Sequence, residues 1–459
     1  MMYPEKPKNE KKKKNEQVTT RHKWFLLLIF ILMILFYLLV SEQGFIKDQK
    51  NSNQCVLKAG YQLVMHDGAK LLISNPQTGV LEPPSANIRN MIISDLDWSP
   101  TGEYVMVFGR DGKNPTNLNN DAYLLSADGS EFRNLTMGKY QFASSSYSRW
   151  TPDGKFILFV WKDAGEAPNL HFAIIDIATD TISEIATIPE KAMYGYAKQW
   201  AWSPDGTRLI YYNGDSVNPQ LFMADVDGKN HRPFYSPATR VPLWSPDSTR
   251  LLLLEPNLTM LDATTGEVIP FTHSGISTAS ALTARWSNDS KRVALQIGNK
   301  IWIMDADGNN LQQLSQSGAV DYLEGWSPTG QYLVYMTHSH TDNLLDLRLV
   351  NIETGETREL GDESDFSIFW GWSANDEWFV YHQTFDSPDQ LDSMIMVDTD
   401  GNELPPLLSK FSGIIQWTPD RRYFTVDANK RGLLLIESGQ SDGCVINSTS
   451  NVFDWNPVR

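Results

Sequence analysis

The chain has 459 residues, with 15 Trp, 24 Pro, 30 Gly and only 2 Cys, and a formal net charge of −16 at neutral pH. A chain this acidic lacks the basic face that nucleic-acid phosphates require, so DNA or RNA binding is not expected. The length would accommodate several globular domains, but the composition fits one large extracytoplasmic repeat array better.

Charge is unevenly placed. Residues 1–23 carry eight Lys or Arg against Glu5, Glu10 and Glu16, a net of +5 that leaves −21 for the rest. From Trp24 to Val40 there is no charged side chain. At about 1.5 Å per residue this stretch reaches ~25 Å as a helix, enough for the short end of a hydrocarbon core, with Trp24 and Tyr37 near its edges. Ser41-Glu42-Gln43-Gly44 offers no small-x-small cleavage site, so a retained anchor is expected rather than a signal peptide. The basic flank places residues 1–23 in the cytoplasm and everything after the span outside. Residues 41–54 are polar and aperiodic, a short stalk. Residues 55–459 form the rest of the molecule.

That remainder is organised by one repeating unit. Trp202-Ser203-Pro204-Asp205-Gly206 is followed by the apolar run Leu209 to Tyr212, and the same pattern centres on Trp98, Trp150, Trp244, Trp286, Trp326, Trp372, Trp417 and Trp455. Ser, Pro and Gly at these offsets are the residues of a tight turn: Pro presets φ, and Ser or Asp bonds the turn backbone. Each corner is followed by an apolar strand, then a second strand ending in a polar turn such as Asp225-Val226-Asp227-Gly228, Asp305-Ala306-Asp307-Gly308 or Asp398-Thr399-Asp400-Gly401. A less regular strand completes the unit. The Trp spacing of 38 to 52 residues therefore holds four antiparallel strands, one propeller blade.

The Trp-Ser-Pro-Asp-Gly corner, the strand behind it and the Asp-x-Asp-Gly turn resemble the TolB-like branch of the β-propellers, related in architecture to WD-repeat proteins. The resemblance covers residues 56 to 459 and implies envelope interaction only by analogy. The expected fold is all-β: a single propeller of eight or nine four-stranded blades, preceded by one transmembrane helix. Three strands precede the first motif, around 61–66, 70–74 and 80–82. The last motif, at Trp455, has no strands after it, so the two ends are expected to combine into one composite blade that closes the ring. Cys55 opens the first blade segment and Cys444 lies just before the closing strand. Outside the cytoplasm such a pair is expected to be oxidised across the seam, two buried free thiols being the alternative.

Candidate chemistry is sparse. The Asp-x-Asp-Gly turns lack the further ligands of a calcium loop and read as backbone turns. His338-Ser339-His340 with Asp342 offers too few ligands for a metal and reads as a solvated loop, so neither metal nor cofactor is expected. Similar propellers precede the hydrolase domain of prolyl-oligopeptidase-type peptidases, but no α/β-hydrolase domain with its nucleophile elbow is expected here. The short corners should share one rim with the outer-hairpin turns, leaving long variable loops on the other. The segments approaching each motif on that rim are aromatic: Tyr140, Tyr147, Tyr194, Tyr196, Tyr322 and Trp370. Tyr and Trp combine an apolar body with a polar tip and suit partner contacts, although packing between blades would use them too. The expected function is a non-catalytic, membrane-anchored scaffold that binds a protein or a cell-envelope polymer. The alternatives are a propeller lyase or hydrolase using a close carboxylate pair in the central channel, and a purely structural spacer.

Overall fold

The computed structural model describes residues 56–458 apart from 57–58, 67–69, 87, 89–90, 113–119, 140, 143–148, 164–168, 190–199, 213–219, 239–240, 255–256, 271–280, 316–319, 339–344, 361–365, 385–392, 410–414, 428–432, 442 and 448–451. Residues 24–40, the stalk and Cys55 lie outside this set. Among the described residues no helix is long and apolar enough to cross a membrane.

Nine antiparallel sheets make up the described chain. The sheet carrying Trp98 shows the plan, with strands Met91–Trp98, Tyr104–Asp111, Asp121–Ser126 and Phe132–Asn134 each bonded to the next. The second strand is buried over consecutive residues because both faces of a blade pack on neighbouring blades. Fourth strands form the outer edge, and most are short, such as the largely exposed Arg232–Tyr235, although Thr181–Pro189 runs for nine residues. One first strand comes in two pieces, Gln141–Phe142 and Arg149–Trp150, both paired with Phe156–Lys162.

The ninth sheet joins the two ends of the chain. Val452–Trp455 pairs with Leu63–His66, from Leu63 opposite Trp455 to His66 opposite Val452, and Leu71–Ser74 and Leu81–Glu82 complete the blade. The blade number is therefore nine, and the composite closure expected from the sequence is present.

Apolar cores lie between blades. Met106 and Phe108 of one blade meet Trp150, Ile157 and Phe159 of the next. The motif tryptophans fill these interfaces and tie them. The indole N–H groups of Trp98, Trp150, Trp286, Trp326 and Trp417 donate to backbone carbonyls of the preceding blade's first strand, at Asp454, Asp97, Leu243, Arg285 and Trp370, over 2.9–3.3 Å. Trp455 donates instead to Thr425 Oγ1 at 3.3 Å. The indole N–H groups of Trp202, Trp244 and Trp372 find no hydrogen-bond partner among the described residues; the Arg208 guanidinium lies over the Trp244 ring, 5.0 Å from its centroid.

The corners are built as their letters predict. The Ser203 hydroxyl donates to Asp205 Oδ1 at 2.6 Å and accepts the Arg208 N–H at 3.0 Å, and Ser245 and Ser287 repeat both bonds. The fourth corner position takes a positive φ, served by glycine in four blades. Ser248, Ser290 and Asp376 hold the same conformation at φ of 58–60°. Their side chains offset its strain by gripping the preceding corner. Ser248 Oγ accepts the Asp205 N–H and Ser290 Oγ the Asp247 N–H, both at 2.9 Å, while the Asp376 carboxylate accepts Thr329 N–H at 3.0 Å and Ser327 O–H at 2.7 Å.

Candidate functional site

The two rims of the ring differ in what their backbone does. On one rim the corner and the outer-hairpin turn of most blades bond directly, as in Ala127 N–H to Glu103 O, Val226 N–H to Thr207 O and Ala306 N–H to Lys291 O, at 2.8–2.9 Å. At the eight corners within continuous blades, five residues separate first strand from second. The connections on the opposite rim vary from two to eleven residues, and most of the longer ones fall largely outside the described residues. The corner rim is thus a closed surface of satisfied turns. The corners are constant in length and the outer-hairpin turns vary from four to nine residues, so the widest variation falls on the long-loop rim, as the sequence led us to expect.

The Asp-x-Asp-Gly carboxylates serve their own turns. Asp227, Asp307 and Asp398 each accept a backbone N–H two residues on, at 2.9–3.0 Å. Among the described residues no group of His, Cys, Asp and Glu has the arrangement of a metal site.

Of the six rim aromatics, Tyr140, Tyr147, Tyr194 and Tyr196 lie outside the described residues. Tyr322 stands near the long-loop end of Val320–Trp326 and is 39% exposed. Trp370 is half-buried against Val380, Met394 and Phe424, at a β-bulge between Phe369 and Gly371. It packs between blades. Two exposed apolar side chains at the long-loop end were not picked out from sequence: Ile92 (49% exposed), at the start of Met91–Trp98, and Met137 (69%), beyond Phe132–Asn134. The available signal was an apolar residue at a strand position whose alternation points it outward.

A different cluster sits on the first strands at the closure seam. Asp454 belongs to the closing strand and Asp97 to the first strand of the next blade. Asp454 Oδ2 accepts the Trp98 N–H at 2.9 Å, and Oδ1 accepts Trp455 N–H at 2.9 Å and the amide of Gln416. Burial, then the Asp454 charge, push the Asp97 carboxyl up to about 7, with Arg149 opposing and Asp95 adding to the rise. Burial likewise lifts Asp454 to about 6 despite the bonds it accepts from Trp98, Trp455 and Gln416, and Asp95 again adds. Both groups are only partly buried by surface area. Burial therefore holds both carboxyls well above the ordinary carboxylate range, as it does in general acids and bases and in structural carboxylates alike. Glu324, at a bulge in Val320–Trp326, is also raised by burial, with Arg285 opposing.

A polar cluster marks the long-loop end of the Trp150 blade. His171 stacks on Trp161 with ring centroids 3.7 Å apart, and its two nitrogens meet Asp163 at 3.0 Å and Glu184 at 3.2 Å.

Gly439-Gln440-Ser441-Asp442-Gly443 carries the letters of a nucleophile elbow, which the sequence reading passed over. It lies in the hairpin between the antiparallel strands Leu433–Glu437 and Gly443–Asn447. A nucleophile elbow joins a strand to a helix, so this segment is a turn.

Cys444 is disulfide-bonded, and the sequence holds one other cysteine, Cys55.

No protein-family model and no curated protein matches this chain. Many solved structures share its fold. A eukaryotic initiation factor is 15% identical, with 77% of this chain and 86% of that one covered and a TM-score of 0.52. Dipeptidyl peptidase 4 of Porphyromonas gingivalis is 12% identical over 83% of this chain and 67% of its own, with a TM-score of 0.55. TolB from Acinetobacter baumannii is 15% identical over 67% of this chain and 84% of that one, at a TM-score of 0.31. The first two support the propeller fold and nothing beyond it; the third adds no weight.

Proposed function

We propose that this chain is a membrane-anchored, extracytoplasmic propeller that binds another protein or a cell-envelope polymer on its long-loop rim and does no chemistry on it. The supporting observation is the contrast between rims. Corner backbones are bonded to their neighbours, whereas Ile92, Met137 and Tyr322 are exposed together with the variable connections. Isolated apolar side chains on a surface are ordinary, and Val268 and Val458 are exposed toward the corner rim, so the contrast in backbone bonding carries the reading. The ectodomain's strong negative charge favours a partner with basic surface.

Capture of a partner from an envelope extract by residues 45–459 tests this reading. Substituting Tyr322 by Ala and Ile92 by Ser should lower capture several-fold while moving the melting temperature by no more than a few degrees. Stable variants that capture normally would place the site elsewhere. The anchor has its own test. Protease added to intact spheroplasts should remove the propeller and leave a small membrane-bound fragment, and a fully protected ectodomain would end the proposed topology. Pairing of Cys55 with Cys444 follows if Cys444 bonds within the chain. Non-reducing peptide mapping should show the two peptides joined.

The Asp97–Asp454 pair favours a second reading, acid–base chemistry on a ligand in the channel. It predicts turnover of an envelope substrate that Asp97→Asn abolishes. Unchanged turnover in that variant removes it.

A further inference from the structure

The chain reaches the propeller on a defined face. Leu63–His66 is a second strand, and second strands run from the corner rim to the long-loop rim in every blade. The residues just before Leu63 therefore lie on the corner rim. Their contacts agree. Gln62 O accepts the Asn456 N–H at 2.8 Å where other blades have a covalent corner, and the Gln62 amide donates to Ala127 O, in an outer-hairpin turn, at 2.7 Å. Val56 and Ala59, 2% and 1% exposed, pack with Leu435, Ile446 and Cys444, and so fix the incoming chain against the last blade and the composite one. Cys444 itself is at the corner end of Gly443–Asn447, directly after a hairpin turn.

We infer that the corner rim faces the membrane and that the long-loop rim is held away from it, toward a protein partner outside the bilayer. The inference rests on the anchored reading proposed above. Residues 41–54, between the span and Cys55, could reach at most about 50 Å even if fully extended. A folded body of roughly 400 residues has a radius of gyration of about 21 Å and an outer radius nearer 30 Å. Turning the long-loop rim to the bilayer would require the stalk to wrap around the body from the opposite face, stretched close to its contour length. The corner-rim turns expose Asp128 and Asp307, and also Asp227 and Asp400, whose charges Lys229 and Arg358 offset. That rim therefore gains no attraction to anionic lipid and stands off at the length of its tether. Lipid headgroups and the membrane segments of neighbours are thus removed from the face that carries Tyr322 and Ile92.

The full chain, reconstituted in phosphatidylcholine/phosphatidylglycerol vesicles with an acceptor dye on the headgroups, tests this. A donor dye would be attached under non-reducing conditions to Ser130→Cys, on an outer-hairpin turn of the corner rim, or to Lys139→Cys, past the fourth strand of the same blade on the long-loop side. Both positions are exposed. Energy transfer from residue 130 should exceed that from residue 139 at least twofold. Vesicle flotation separates the two ways of failing. A chain that does not float overturns the anchor and this orientation together, whereas a chain that floats with equal or reversed transfer overturns the orientation alone.

Discussion

Trp372→Ala is expected to lower the unfolding free energy by about 3–5 kcal/mol, the range for emptying a large aromatic site in a close-packed core. Trp372 is 1% exposed and lies between two blades, with Phe379 at 4.8 Å and Tyr332 at 6.1 Å between ring centroids. Its indole N–H has no partner among the described residues, so the loss is one of packing. Trp326→Phe makes the control, because it keeps most of the volume and removes the 2.9 Å bond to Arg285 O, for a loss nearer 1 kcal/mol. In a ring of repeats each blade depends on its neighbours, so the damage should broaden the urea transition as well as shift it. Urea titration followed by fluorescence measures both. A Trp372→Ala loss below 1 kcal/mol would mean that the interface collapses to fill the space and that the motif tryptophan is dispensable.

Stability should also fall as pH rises from 4 to 8, and Asp97→Asn should remove much of that fall. The folded-state values of Asp97 and Asp454 stand above the ordinary 3.8, at about 7 and about 6. Groups raised in this way contribute stability that is fully present below the unfolded value and lost as pH climbs through the folded one. A rise to about 7 corresponds to ~4 kcal/mol in a sealed site. Partial exposure of Asp97 brings the expected gain of Asp97→Asn at pH 8 to about 2 kcal/mol. At the acid end the corner carboxylates act in the opposite sense. Burial opposes ionisation of Asp205, Asp247 and Asp289, but bonds from Ser203, Ser245 and Ser287 and from the turn backbones outweigh it and hold all three below the usual range. Their contribution is present above the unfolded value and lost as pH drops through the folded one, so stability should peak near pH 4. Parallel melting profiles for wild type and Asp97→Asn across pH 4–8 would refute the seam argument.

Local chemistry made the corners, the strands behind them and the division of rims legible in the sequence. Ser203, Asp205 and Gly206 act on their own turn, so their letters announce what they do. The composite blade was legible too, because strands unpaired at one end of the chain matched a motif unaccompanied at the other. What stayed hidden depends on contacts across the ring. Ser248 and Ser290 read as lapses from glycine, and only the stacking of successive corners, about one repeat apart, shows that their hydroxyls bind the preceding blade. Asp97 and Asp454 are separated by nearly the whole propeller, and closure alone brings them together. Once the ends were known to join, an acidic residue directly before Trp98 and another directly before Trp455 could have suggested it. Trp370 looked like a rim aromatic because its strand approaches that rim, but the bulge beside Gly371 turns it into an interface.

The closing strand has a consequence for how the protein is made. Leu63–His66 is synthesised before its partner Val452–Trp455, with the strands of eight other blades between them in the chain. Until residue 455 has been made, the first three strands of the composite blade must wait with an open, apolar edge, the kind of edge that recruits foreign strands. Blades formed later can stack on one another as they emerge, but none can supply the missing partner. Chains stalled or clipped before residue 452 would leave that edge permanently unpaired, and such fragments would depend on holding chaperones or be cleared by proteases.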